Sequence, residues 1–338
     1  MGIVAAIITI GILVTVHELG HFMAARFTGM RVDEFAIGFG PALWKKQKGK
    51  TLYSLRCIPL GGYNKIAGME PGEEITPDGY NSKSVPARLL VIVAGALMNF
   101  LLPIFLFAGM SYVDGVEYLV NKSVLGTVRE EGAAYQAGLR VGDKLVSING
   151  RTVTTWDDVI AQIRDNGEKP VQIAAERNGA VQNYNMRPRM NAELGRAIIG
   201  IQPVFAHRSC GFFESLWLGM KKTYNVMFMM LNGLYRIIMG TAPADLSGPI
   251  GLAVVAGDVA AKGFMAVLNF ICFLSINLGI INLLPLPALD GGHAVLLFLE
   301  ALRGKPLPDK AMEYIQYAGI SIIIFITLFS TYKDLLRF

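Results

Sequence analysis

Four stretches of this chain, at about residues 2–27, 89–110, 264–286 and 314–329, are apolar for roughly as long as a helix needs to cross a bilayer. A hydrocarbon core of ~30 Å takes about 20 helical residues, and the last stretch reaches that length only with flanking residues from 311–333. With 53% hydrophobic residues and a mean hydropathy of +0.44, the 338 residues read as a polytopic α-helical membrane protein with four transmembrane helices. The net charge of +5 and the pI near 9.0 fit basic loops beside anionic headgroups and give no argument for a nucleic-acid partner. Cys57, Cys210 and Cys272 are scattered without a C-x-x-C, so neither a disulfide framework nor a cysteine metal site is expected. No basic residues precede the first apolar run, and cleavage inside it would discard or strand its histidines, so a signal peptide is not expected either.

Between the spans the chain changes character. In 28–88 the alternation over 51–58 reads as a strand, broken at Pro59-Leu-Gly-Gly-Tyr63, where Gly61 and Gly62 permit a tight turn or close backbone approach. Residues 120–204 form a soluble-looking module with a short helix at 133–137, a strand at 144–148 running into an Asn149-Gly150 turn, an amphipathic helix at 156–163 and a strand at 171–175. Its Ala137-Gly138-Leu139-x-x-Gly142-Asp143-x-Leu145-x-x-Ile148-Asn149-Gly150 string resembles PDZ domains of the bacterial protease type. Residues 212–239, helical by period and interrupted by Lys221, Lys222 and Arg236, suit an interfacial amphipathic helix. The breaker-rich runs 239–243 and 246–250 read as a linker. These readings divide the chain into 1–111 and 263–338 as membrane parts, 118–205 as the PDZ-like module and 206–262 as amphipathic helix and linker. Lysines and arginines beside the span ends in 28–88 and 303–310 assign both segments to the cytoplasm. Four spans then put both termini and the module outside, where Lys333 and Arg337 are a mild misfit.

Within the first span lies His17-Glu18-Leu19-Gly20-His21. Positions i and i+4 share a helix face, so the two imidazoles can grip one metal, while Glu18 is placed to work on a water without being a ligand. The bland alternative is a chance pattern with both histidines satisfied by backbone carbonyls. Catalytic zinc takes three protein ligands and leaves a position for water. The candidate third is Asp290, in Asn282-Leu-Leu-Pro-Leu-Pro-Ala-Leu-Asp-Gly-Gly-His293, where two prolines and two glycines rule out a plain helix. Its competing reading is an N-cap for the helix that follows. His293 is read as a supporting or surface histidine rather than a ligand, and His207 as an exposed loop histidine.

Taken together, H-E-L-G-H, P-L-G-G-Y, Gly95-x-x-x-Asn99, the PDZ-like string and N-L-L-P-x-P-x-L-D-G-G-H resemble the site-2 protease family of intramembrane zinc metalloproteases, in its bacterial regulator-of-sigma-E branch. The resemblance covers essentially the whole chain. It implies one zinc per chain held by His17, His21 and Asp290, Glu18 as general base, and Asn99, Asn277 and Asn282 near the substrate. It also implies a membrane-associated β-hairpin over 52–63, with Gly61, Gly62 and Tyr63, that pairs with unwound substrate. The implied setting is a bacterial inner membrane, with the zinc site toward the cytoplasm and the PDZ-like α+β domain extracytoplasmic. The implied substrates are single-span membrane proteins, chiefly anti-sigma factors, with signal-peptide remnants and pheromone precursors behind them, and peptide C-termini are candidate ligands of the module. The chain departs from the family pattern at Ala96, where proline is usual, and at Asn64, where valine is usual and the hairpin edge becomes more polar. A catalytically inactive scaffold that binds peptides is the alternative, disfavoured because Glu18 and all three ligands are retained. A transporter would need more spans and inverted repeats.

Overall fold

The computed structural model describes residues 2–70, 72–74, 76–191, 196–242, 248–305 and 307–337. The chain opens with α1 (Gly2–Phe27), whose end is closed by the Thr28 hydroxyl on the Ala24 carbonyl and by Gly29 at φ 70°. β1 (Val32–Lys48) and β2 (Thr51–Ile66) follow as a bulged β-ribbon. The expected break at Pro59–Tyr63 does not end the strand. β2 runs through it and wraps β1, so that residues 34–37 face 52–55 on one side and 62–65 on the other. Gly61 at φ 112° and Gly38 at φ 88° allow that wrapping, since neither conformation suits a residue with a Cβ. α2 (Val85–Asp114) carries Pro103 in its interior. Proline has no N–H to give the carbonyl four residues back, and the freed Asn99 carbonyl instead accepts from the Ser275 hydroxyl at 2.7 Å.

Residues 113–210 form one compact unit. It contains β3 (Val116–Leu119), β4 (Leu125–Val128), α3 (Ala133–Gln136), β5 (Lys144–Ile148), β6 (Arg151–Thr152), α4 (Trp156–Asn166), β7 (Val171–Arg177), β8 (Ala180–Met186), β9 (Arg189–Asn191), β10 (Arg196–Ile198), β11 (Ile201–Pro203) and β12 (Phe205–Arg208). The main sheet runs β6-β5-β7-β8, all antiparallel, with β4–β11 and β3–β12 as separate pairs. Alternate residues of β7 face the core, where Val171, Ile173 and Ala175 meet Leu145, Ile148, Trp156 and Val159. Asn149 and Gly150 turn with φ 48° and 80°, the pairing a two-residue hairpin loop requires. α4 starts in a capping box between Thr155 and Asp158. Buried Asp143 accepts two bonds of 2.7 Å from Arg177 and one from the Arg140 N–H. Those bonds outweigh burial, which alone would raise it, and hold its carboxyl below the usual range. His207 lies on β12 rather than in a loop, exposed, 3.2 Å from Glu117 of β3.

The remaining helices are α5 (Phe212–Ile238), α6 (Pro249–Ala261), α7 (Phe264–Leu283), α8 (Asp290–Arg303) and α9 (Asp309–Arg337), which join α1, the ribbon and most of α2 in the other compact unit. Among the described residues four helices, within Gly2–Phe27, Val85–Asp114, Phe264–Leu283 and Lys310–Arg337, are long and apolar enough to span a membrane. α6 corrects the linker reading of this region. Pro249 sits at its first position, and its N-terminal N–H groups at Gly248 and Gly251 are capped by Asp334, reaching from α9 at 3.0 and 2.8 Å. Of the expected linker runs, 243–247 lie outside the described residues. Between α7 and α8 the chain breaks at Pro285 and Pro287, with Ala288 held at φ 68°. α8 then starts so close to the end of α7 that a Cβ at Gly291 or Gly292 would run into the carbonyls of Leu283, Leu284 or Leu286. Its far end is tied to α2 by a largely buried pair, Arg88 with Glu300.

Candidate metal centre

The centre is built where α1, α2 and the start of α8 meet. His17 Nε2 lies 3.1 Å from His21 Nε2 and 3.3 Å from Asp290 Oδ2, and His21 Nε2 lies 3.5 Å from the same oxygen. The helical spacing of the two histidines sets their rings 4.7 Å apart at 87°, edge to face. All three side chains are at most 18% exposed. Asp290 is the first residue of α8 while Leu289 holds the N-cap without a side-chain bond, so the capping reading of Asp290 fails. Its Oδ2 is buried with no hydrogen-bond partner among the described residues. A buried carboxylate oxygen without a partner is costly unless a cation meets it.

A zinc ion fits this set. Four-coordinate zinc binds imidazole nitrogen and carboxylate oxygen at ~2.0–2.2 Å, which sets ligand atoms roughly 3.3–3.5 Å apart, and the three separations here are 3.1, 3.3 and 3.5 Å. These three residues form the one His/Cys/Asp/Glu group among the described residues whose donor atoms converge for a metal. His21 Nδ1 lies 2.7 Å from the Val91 carbonyl, which fixes the tautomer that leaves Nε2 a lone pair. Asn99 is fully buried, with its side-chain amide 3.2 Å from His17 Nδ1 and its Oδ1 unpartnered among the described residues. With Oδ1 turned to the ring it accepts Nδ1–H, which satisfies that oxygen and frees Nε2 of His17 in the same way.

Packing sets the precision of this corner. A Cβ on Gly95 would collide with His21 Nε2 and lie 2.6 Å from His17 Cε1, so both imidazoles lean on bare α2 backbone. Gly20 brings α1 equally close to α2 at Ala94. Val91, Gly95 and Asn99 recur every fourth residue, so one face of α2 serves both histidines, a periodicity legible in the sequence once the motif is known. Sequence reasoning missed Val91, which acts through its carbonyl alone, and Ser275, whose bond depends on Pro103.

Glu18 is half-buried beside the ligands, and a Cβ on Gly62 would lie 3.3 Å from its Cγ, so β2 passes directly against it. Asn282 stands 3.3 Å from His17 Nε2 through its amide nitrogen. Asn277 is half-buried on α7, and among the described residues no hydrogen bond joins it to the ligands, unlike Asn99 and Asn282. Tyr63 is engaged inside the ribbon, stacked on Phe39 and accepting from Arg56 at 2.6 Å, and Gly61 lies under the Phe39 ring. His293, half-buried, stays outside the ligand group.

A helical membrane bundle that aims two histidines of an H-E-x-x-H helix and a distant aspartate at one point, with a glutamate beside them, defines a membrane-embedded metallohydrolase. The family model for peptidase family M50 matches residues 5–326, and the chain belongs to that family, the site-2 protease type of zinc metalloprotease. The chain is 29% identical to the regulator of sigma-W protease RasP of Bacillus subtilis, over 99% of this chain and 98% of that protein. It is 31% identical to the zinc metalloprotease RasP of Geobacillus kaustophilus, with the same coverage of 99% and 98%. Among solved structures, the PDZ domain of an SdrC-like protein from Listeria monocytogenes matches 26% of this chain and 94% of its own length, at 19% identity and a TM-score of 0.23.

Proposed function

We propose that this protein cleaves peptide bonds inside the transmembrane segments of single-span membrane proteins, with one zinc per chain held by His17, His21 and Asp290. The observation that carries the reading is the unpartnered Asp290 Oδ2 facing two imidazole nitrogens within 3.5 Å. Zinc, when bound, supplies Lewis acidity that lowers the pKa of water and polarises a carbonyl. Glu18 accepts the proton of the attacking water and delivers it to the leaving nitrogen as the C–N bond breaks. Asn282, its amide nitrogen 3.3 Å from His17 Nε2, would donate to the oxyanion that develops on the substrate carbonyl, and Asn99 serves through His17, which it touches. A helical substrate hides its peptide bonds in its own hydrogen bonds. β2 passes against Glu18 at Gly62, and the edge of that strand not paired with β1 offers replacement partners for an unwound segment.

The four apolar helices lie in a bacterial inner membrane, with the ribbon associated with its surface or interior and the zinc site toward the cytoplasm. The unit of residues 113–210 is a PDZ-like domain on the other side. Its helix–turn–strand order and its Asn-Gly hairpin support that reading. There it filters substrates by size or holds peptide C-termini. Trimmed anti-sigma factors and signal-peptide remnants are the substrate classes that suit such an arrangement. A catalytically silent scaffold would have no use for a retained Glu18 beside three intact ligands.

The deciding experiment combines metal analysis with cleavage of a single-span substrate in reconstituted vesicles. Glu18→Gln should keep about one zinc per chain and lose hydrolysis, while Asp290→Ala should lose both. Stoichiometric zinc in Asp290→Ala protein would remove that residue from the centre, and hydrolysis by Glu18→Gln protein would remove the base.

A further inference from the structure

β2 meets α1 at the residue that does the chemistry. Residues 62 and 64 share one face of the strand, because side chains alternate along it. Gly62 lets the backbone close on Glu18, and Asn64 fills the next place on that face. The Asn64 amide nitrogen donates to the Glu18 main-chain carbonyl at 2.6 Å and to Glu18 Oε2 at 2.8 Å. One amide group thus holds the backbone and the carboxylate of the same residue.

We propose that Asn64 is the positioning residue of the general base. It fixes the direction in which the Glu18 carboxylate points. The inference rests on reading Glu18 as the base. Two local conflicts mark the position. Asparagine is disfavoured in strands, and Asn64 Oδ1 is buried without a partner among the described residues. Turning the amide over would place that oxygen against two acceptors, so the orientation is dictated by Glu18. A residue that merely docked the ribbon on α1 would be served by the main-chain bond alone. The second bond reaches the carboxylate, whose direction decides whether a proton can be taken from water and delivered to nitrogen.

The test uses the full-length protein in vesicles, with Asn64→Val to remove both donors in a strand-compatible side chain and Asn64→Asp to remove them at constant shape. Both variants should keep about one zinc per chain and a KM within roughly 2-fold of wild type, while kcat falls roughly 10- to 100-fold, a part of the ~100- to 10,000-fold that a well-placed general base contributes. A second readout needs no activity. In metal-free protein, thermal unfolding of wild type, Asn64→Val, Glu18→Ala and the double variant should be non-additive, with Asn64→Val costing less once the carboxylate is gone. Additive unfolding shifts, an unchanged kcat with a raised KM, or lost zinc in both variants would each overturn the proposal. The unfolding cycle reads the contact even where one variant is too unstable to assay. Normal kcat in Asn64→Val protein while Glu18→Gln is inactive overturns this proposal alone. Normal cleavage by Glu18→Gln protein overturns the reading of Glu18 as base, and this proposal with it.

Discussion

Gly95→Ala adds one methyl group to the interior of α2, where alanine is intrinsically the better helix former by up to ~1 kcal/mol. Here the expected outcome is loss of function. The new Cβ would lie 2.6 Å from His17 Cε1 and closer still to His21 Nε2. Ordinary carbon contact begins near ~3.5 Å, so one or both rings must retreat by about 1 Å, or α2 must part from α1. Gly20 already brings α1 against the Ala94 carbonyl, which couples any such parting to the whole helix pair. Overpacking of this kind costs about 1–3 kcal/mol, and misplacing a reacting centre by ~1 Å costs roughly 100-fold in rate. The assay is zinc retention against a graded chelator, together with kcat on a single-span substrate. Gly109→Ala is the control, on the same helix with no heavy atom within 4 Å of its added Cβ. Gly109→Ala should leave zinc and rate unchanged, while Gly95→Ala should lower zinc affinity at least about 10-fold and rate about 100-fold. Wild-type zinc affinity in Gly95→Ala protein would show that the histidines do not depend on that bare backbone.

Arg88→Ala leaves Glu300 largely buried without its partner, an imbalance that typically costs about 3–5 kcal/mol; thermal unfolding should fall accordingly, and Arg88→Met with Glu300→Leu should recover most of the loss. In the 113–210 unit, the native Asp143 carboxyl titrates below its unfolded value. Its contribution is therefore complete above the unfolded pKa of ~3.9 and is lost as pH falls through the native value. Trp156 fluorescence, read with Trp44 and Trp217 replaced by phenylalanine, should report acid unfolding in that window, and Asp143→Asn should flatten the pH dependence while weakening the unit at neutral pH. Deleting residues 120–204 should leave cleavage of short transmembrane peptides intact and raise cleavage of substrates that keep a bulky external domain. An unchanged ratio of trimmed to untrimmed cleavage would reduce the module to a binding accessory.

The apolar runs were legible because helix length and hydropathy are local properties. α1 and β5 coincide with their expected ranges, and α2 extends its expected stretch at both ends. The two histidines were legible for the same reason, since i and i+4 share a face whatever surrounds them. Asp290 was legible only as one of two readings. What supports the ligand reading is an oxygen left without a partner by the arrangement of three helices, with Leu289 rather than Asp290 at the N-cap. Gly248 and Pro249 look like the breakers of a linker, yet in place they form the start of α6, whose cap arrives from Asp334, far along the chain. Pro59 and Gly61 hide the continuation of β2 for a related reason. Those residues bend a strand as readily as they end one, and only pairing on both sides of β1 distinguishes the outcomes.

On the metal centre proposed above, the order of its residues along the chain also governs when the enzyme exists. His17, Glu18 and His21 are made with the first helix, and Asp290 arrives only after the whole 113–210 unit and α5 to α7 have been synthesised. Until then the first helix carries two imidazoles and a carboxylate with no third ligand to complete a site. With that proposed centre, a ribosome-bound or truncated chain is a membrane protein without a protease, and a product ending before α8 should be proteolytically harmless to the membrane in which it is inserted.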